Sequence, residues 1–248
     1  MDDRQRRVPG FSQDALCGLT MDVVGAGGLG GAFVWGAVKK GIGSLQIYDG
    51  DRVEISNLNR QFFTPRDLGR NKAVCLARNG ARAGYMGTRL VAVPYFLQAA
   101  VDRGLDRPCD AVFCGVNNDE TRVFVARRYQ QKPVVFAAVG RDAGHGYVAV
   151  QEPGGACFAC FRPQALQAET AVGRVDGGCP VDPAVVDVLG VVAMLALYAV
   201  DSLVMARPRH WNFKQVALHG SFPDISAQVP KRRDCPVCSL AIKVPNGE

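Results

Sequence analysis

The sequence predicts an α/β fold, a Rossmann-like doubly wound sheet that is largely parallel with an antiparallel extension. Three observations predict it. Short apolar runs alternate with helical stretches through the first two-thirds of the chain, as parallel strands joined by crossover helices do. Gly25-Ala-Gly-Gly-Leu-Gly30 follows the first apolar run and opens a helix. Two Cys-x-x-Cys pairs, Cys157/Cys160 and Cys235/Cys238, have the spacing of two zinc knuckles, so Zn²⁺ would staple the C-terminal part back onto the domain.

The elements follow in order. Residues 21–24 read as the first strand and the small-residue run to about residue 40 as the first long helix. Residues 44–48 form a second strand ending at Asp49, residues 70–83 a helix, and residues 89–93 an extended run. Residues 110–114 are a strand, 119–130 a helix, 133–137 a strand and 147–150 another. Residues 162–178 show no apolar period and read as a loop. A long apolar helix spans about residues 183–205, and residues 211–218 read as a further strand. The expected organisation is one domain over residues 1–248, with residues 1–18 as an N-terminal arm.

Of the 248 residues, 48% are hydrophobic and 21% charged, which excludes disorder as the general state. Lys and Arg outnumber Asp and Glu by 29 to 23, a mild surplus that suits anionic ligands without demanding nucleic acid. The polar start of the sequence carries no apolar leader. The most apolar stretch, residues 188–200, falls short of the about 20 residues a bilayer crossing needs, so it reads as a buried helix. A cytoplasmic location with no membrane or nucleic-acid partner is the expectation. Nine cysteines without a secretion signal point to metal or thiol chemistry before disulfides.

Gly25, Gly27, Gly28 and Gly30 permit a tight turn and close approach of backbone to phosphate at a helix N-terminus. Asp49 ends the next strand, where an acid can bond ribose hydroxyls. These signals alone suggest a nucleotide site and would favour NAD.

The next stretch changes that reading. Asp49-Gly-Asp51 is followed by Ser56-Asn57-Leu-Asn59-Arg60-Gln61 and by Gly69-Arg-Asn-Lys72. With the glycine turn and the cysteine pairs, it strongly resembles the E1-like adenylating enzymes, the family of the ThiF and MoeB proteins and of ubiquitin-activating E1 domains. The resemblance covers nearly the whole chain. It implies that ATP with Mg²⁺ adenylates the C-terminal glycine carboxylate of a ubiquitin-fold carrier protein ending in Gly-Gly.

Joining two anions requires cations, and Arg60 and Lys72 match the family's triphosphate contacts. Asn57 matches the motif amide, with Ser56 and Gln61 as supporting polar groups. The resemblance also implies a homodimer in which an N-terminal Arg crosses to the partner's site. Arg4 best matches it, against the plain reading of a basic tail. One departure stands out. Asn117 occupies the place of an acid that assists Mg²⁺, while Asn118 and Arg122 keep register. Asp119 or Asp51 would have to compensate.

Cys179 precedes the apolar helix where many relatives carry a reactive thiol, and a buried apolar filler is the alternative. Residues 162–178 match the family's crossover loop over the carrier tail. Cys75, Cys109 and Cys114 read as core, and Trp35, Phe62 and Phe63 as core or dimer interface. His145, His210 and His219 show no ligand spacing. Three rivals remain: a relative that adenylates a peptide terminus in natural-product synthesis, a non-catalytic binding subunit, and an NAD dehydrogenase.

Overall fold

Alternation along the first strand organises the molecule, described here from a computed structural model over residues 3–84, 86–167, 183–205 and 207–239. In β1 (Thr20–Val24), Met21 and Val23 face one apolar core while Asp22 and Val24 face the other side. The first core is covered by α3 (Gly28–Lys40), α4 (Lys72–Ala83) and α8 (Val186–Val204). The second is covered by α5 (Leu97–Asp102), α6 (Asp119–Arg128) and α7 (Phe158–Phe161). Two short helices, α1 (Asp3–Arg6) and α2 (Gln13–Cys17), precede them.

The eight strands form one sheet in the order β3-β2-β1-β4-β5-β6-β7-β8. β2 (Ser44–Tyr48), β3 (Arg89–Val93), β4 (Ala111–Cys114) and β5 (Val134–Val139) complete the parallel part with β1. β6 (His145–Gln151), β7 (Phe213–Ala217) and β8 (Ile225–Ala227) add antiparallel strands. The expected Rossmann-like sheet with an antiparallel extension is what the chain forms. β1 lies between β2 and β4, so the strand order reverses there, where such sheets open a crevice at their carboxyl ends.

Several boundaries differ from expectation for identifiable reasons. α4 begins at Lys72, two residues late, because Asn71 caps it by accepting the Val74 N–H at 3.1 Å. Residues 97–102, 158–161 and 225–227 were not anticipated as elements; each is too short to show a period. Of the two readings of Trp35, core or dimer interface, its exposure removes the first within one chain: it is 44% exposed on α3, with Phe62 stacked 6.3 Å away.

The apolar helix, expected over about residues 183–205, spans Val186–Val204, and so runs through Asp187 and Asp201, the acids that bound its most apolar stretch, residues 188–200. At 19 residues and a mean hydropathy of 1.9 it is long and apolar enough to cross a membrane by those measures. Its packing accounts for the composition: Val188, Val192, Ala196 and Val200 are buried in the first core. Asp201 is fully buried where Lys40 and Arg207 bind its carboxylate.

Candidate functional site

The glycine turn adopts the geometry its sequence requires. Gly25 has φ of +95°, a left-handed conformation costly for other residues, and a Cβ at Gly30 would lie 1.9 Å from the Gly25 carbonyl oxygen. A Cβ at Gly27 would meet nothing within 4 Å, so the space above the helix start is open. Gly27 is the N-cap of α3 and supplies no side-chain bond, which leaves the first turn's donors for an anion. Gly28 sits against Leu189 of α8.

Asp49 is 6% exposed, and both of its oxygens are engaged by backbone. Oδ2 accepts the Ala26 N–H at 2.7 Å and Oδ1 the Asp51 N–H at 2.8 Å. Burial pushes its carboxyl above the usual range, opposed by those amides and by Lys72. Its observed work is to clamp the glycine turn. Asn71, which no motif flagged, donates to the carbonyls of Asp49 at 2.8 Å and Asp51 at 3.2 Å. Lys72 follows it and pairs with Asp51 at 3.0 Å. The glycine turn, the acidic loop and the start of α4 are thus one hydrogen-bonded unit.

The remaining motif residues are held by local contacts. Asn57 is 7% exposed, and its Oδ1 accepts the Glu54 N–H at 3.0 Å, closing a reciprocal cap on the single 3-10 turn Ile55–Asn57. Arg60 is held from that turn, donating to the Ser56 carbonyl at 2.6 Å and to Asn59 Oδ1 at 2.9 Å. The Gln61 Oε1 is buried without a partner. Asn118 caps α6 by accepting the Thr121 N–H at 2.8 Å. Arg122 donates to Asp119 at 2.8 Å and to the Val116 carbonyl at 2.6 Å, so Asn117 lies in a loop that Arg122 braces.

Arg4 is exposed on α1. Arg6 ties α1 to Asp14 of α2, and Gln13 of α2 donates to the Lys40 carbonyl, at the end of α3 remote from the glycine turn. Cys179 and residues 168–178 of the loop lie outside the described residues. Cys75, Cys109 and Cys114 are buried as expected, and burial pushes the last two thiols up to about 12 and about 11. His145 and His219 both face Asp142, at 2.8 and 3.4 Å.

The two cysteine pairs meet. Sγ atoms of Cys157 and Cys235 are 3.5 Å apart, those of Cys160 and Cys238 3.5 Å, and those of Cys157 and Cys160 3.9 Å. Four thiolates around one tetrahedral Zn²⁺ stand about 3.8 Å from one another, whereas a disulfide requires about 2 Å. The donor set and its size therefore fit zinc. Burial opposes ionisation at Cys235, but the N–H groups of Cys238 and Val237 outweigh it and hold that thiol below the usual cysteine range. Gln130, in the turn that follows α6, donates to the Val237 carbonyl at 2.7 Å, fixing the second knuckle to the sheet's second layer.

Comparison with known proteins gives the family and the fold. A family model described as the ThiF family matches residues 3–237. Over 238 residues the chain is 32% identical to "Adenylyltransferase and sulfurtransferase MOCS3" of Danio rerio, covering 91% of this chain and 49% of that protein. It is 33% identical over 159 residues to the sulfur carrier protein adenylyltransferase of Thermus thermophilus, covering 61% of this chain and 58% of that one. The microcin C7 biosynthetic enzyme MccB, solved in complex with N-formylated MccA, matches with a TM-score of 0.72 at 18% identity, covering 91% of this chain and 69% of that one. That likeness is one of fold. The chain spans about half the length of the curated relatives it matches.

Proposed function

The chain belongs to the ThiF family, and on that premise we propose that it uses ATP to adenylate the C-terminal carboxylate of a small protein or peptide. The observation that carries this reading is the unit formed by Asp49, Asn71 and Lys72, which places a cation beside an open, uncapped helix N-terminus. In this reading a carboxylate oxygen bonds to the α-phosphorus of ATP and the bond to the leaving pyrophosphate breaks. The first turn of α3 receives phosphate oxygens. Lys72 and Arg60 offset the charge of two anions held together, and Arg60 adds a planar fork. Asp49 acts by holding the turn that the nucleotide must approach.

Mg²⁺ would neutralise triphosphate charge. Asn117 is a weak ligand for it, and Asp51 and Asp119 are the carboxylates at hand, each paired with a cation in this state. Zn²⁺ held by Cys157, Cys160, Cys235 and Cys238 would tie the tail to the sheet with no open coordination position. A second copy of the chain would supply Arg4, since its own α1 and α2 are packed at the remote end of α3. Transfer to Cys179 and a cytoplasmic setting belong to the same proposal.

Two substrates are compatible with this chemistry. A peptide terminus modified in natural-product synthesis is supported by the match to a microcin biosynthetic enzyme over 91% of the chain. A ubiquitin-fold carrier is supported by the sequence relatives, which include Ubiquitin-like modifier-activating enzyme 5 of Branchiostoma floridae, 32% identical over 160 residues, 58% of this chain and 39% of that protein. Pyrophosphate exchange into ATP decides. A free peptide carboxylate and a Gly-Gly-ended ubiquitin-fold protein are supplied in turn, and the one that stimulates exchange is the substrate class. Lys72→Ala and Arg60→Ala should each lower that exchange by about a hundredfold or more with the fold intact. Unchanged exchange in both variants contradicts the assigned roles.

A further inference from the structure

At the other end of the sheet, the first residues of β1, β2 and β3 floor a second cleft. It measures about 410 Å³ and is lined by Thr20, Ser44, Gln46, Arg89, Arg107 and Cys17, among others. Thr20 begins the strand whose far end carries the glycine turn, so about 15 Å of strand separates the two places. None of the residues of the adenylation motif lines it.

Three features of the cleft are chemical rather than geometric. Arg89 comes from the floor and Arg107 from the loop that roofs it, and neither guanidinium has a carboxylate partner among the described residues. Of the acids in that loop, Asp106 is paired with Arg128, and Asp110, which does not itself line the cleft, accepts the N–H of Thr20 on the cleft floor at 2.8 Å. Gln46 is 2% exposed; its Nε2 donates to the Pro108 carbonyl at 3.1 Å, which fixes the amide orientation and leaves Oε1 buried with no donor. A buried acceptor without a partner calls for a missing donor.

A ligand for this cleft needs acidic oxygens for two guanidinium forks and a hydrogen-bond donor for one carbonyl. Hydrogen phosphate has both at neutral pH, because it retains a P–OH beside its charged oxygens. Sulfate matches it in shape and charge but has no proton to donate. We infer that the cleft between β1–β3 and the loop around Arg107 binds inorganic phosphate, held by Arg89 and Arg107 and distinguished from sulfate by the Gln46 carbonyl. The inference is independent of the adenylation reading.

Cys17 is exposed on the rim of the cleft and reports its occupancy. The measurement is the rate at which a neutral maleimide alkylates Cys17 in the full chain, at constant ionic strength, with Cys17→Ser as the blank. Phosphate should slow alkylation saturably, and sulfate should need about tenfold more concentration for the same protection. Arg89→Ser with Arg107→Ser, both at exposed positions, should abolish protection, and Gln46→Met, checked for an unchanged melting profile, should equalise the two anions. Lys72→Ala should retain protection, which separates this site from the nucleotide site. Equal protection by both anions in the wild type, or protection that survives loss of both arginines, overturns the inference.

Discussion

Asp22 carries the clearest consequence of burying a single charged side chain. It lies fully buried in β1, where a mostly aliphatic strand gives it no water, and the Tyr129 hydroxyl donates to it at 2.7 Å. Burial pushes its carboxyl up to about 6, against a smaller lowering by Tyr129. An unfolded Asp releases its proton near pH 4, so between about pH 4 and 6 the folded chain holds a proton that the unfolded chain has lost. The contribution of Asp22 to stability is therefore most favourable below pH 4, falls through that window, and stays lower above it, by on the order of 2–3 kcal/mol. Asp22→Asn should raise the thermal midpoint at pH 8 and change it little at pH 4. Equal shifts at both pH values would contradict the assignment. None of this was legible in the sequence, because Met21-Asp22-Val23-Val24 shows an acid in a strand but not which layer covers it.

At the scale of elements, the two cysteine knuckles join α7 to the tail across 78 positions of sequence. Zn²⁺ held there would close a loop of that length, and its binding would be coupled to folding of the segment that returns. Removing Zn²⁺ with a chelator, or replacing Cys157 by Ser, should lower the melting midpoint and expose residues after β8 to protease, while β1 to α4 stay protected. A midpoint unmoved by chelation would falsify the structural role. The spacing of these cysteines, like the glycine turn, was readable because few geometries fit such residues at such intervals, whereas the clamp that Asp49 places on that turn was not. The caps were harder to read. Asn57 and Asn118 matched nucleotide-binding motif positions, yet each side chain closes a helical turn, and Asn71 joins the acidic loop to α4 without belonging to a motif. Which amide caps and which binds depends on contacts between elements, and residue types alone do not encode it.

For the whole molecule, alternating runs made a parallel sheet legible and the change of texture after residue 144 its antiparallel extension, whereas the strand order and the three-residue β8 carried no signal. The exposed Trp35 beside Phe62 and the outward Val191 and Met194 of α8 had no such signal, since apolar residues at helical spacing read as core whether another chain or the same one covers them. Both ends of the sheet carry cations, with Lys72 and Arg60 at the carboxyl end and Arg89 and Arg107 at the amino end. The carboxyl end carries the proposed chemistry. Its most direct test is a calorimetric titration of the wild-type chain and of Lys72→Ala with ATP and Mg²⁺, with NADH as the competing nucleotide. The account expects the wild type to bind ATP, Lys72→Ala to lose at least tenfold in affinity, and NADH to give no heat. Binding of NADH in place of ATP, or ATP binding that ignores Lys72, would contradict it.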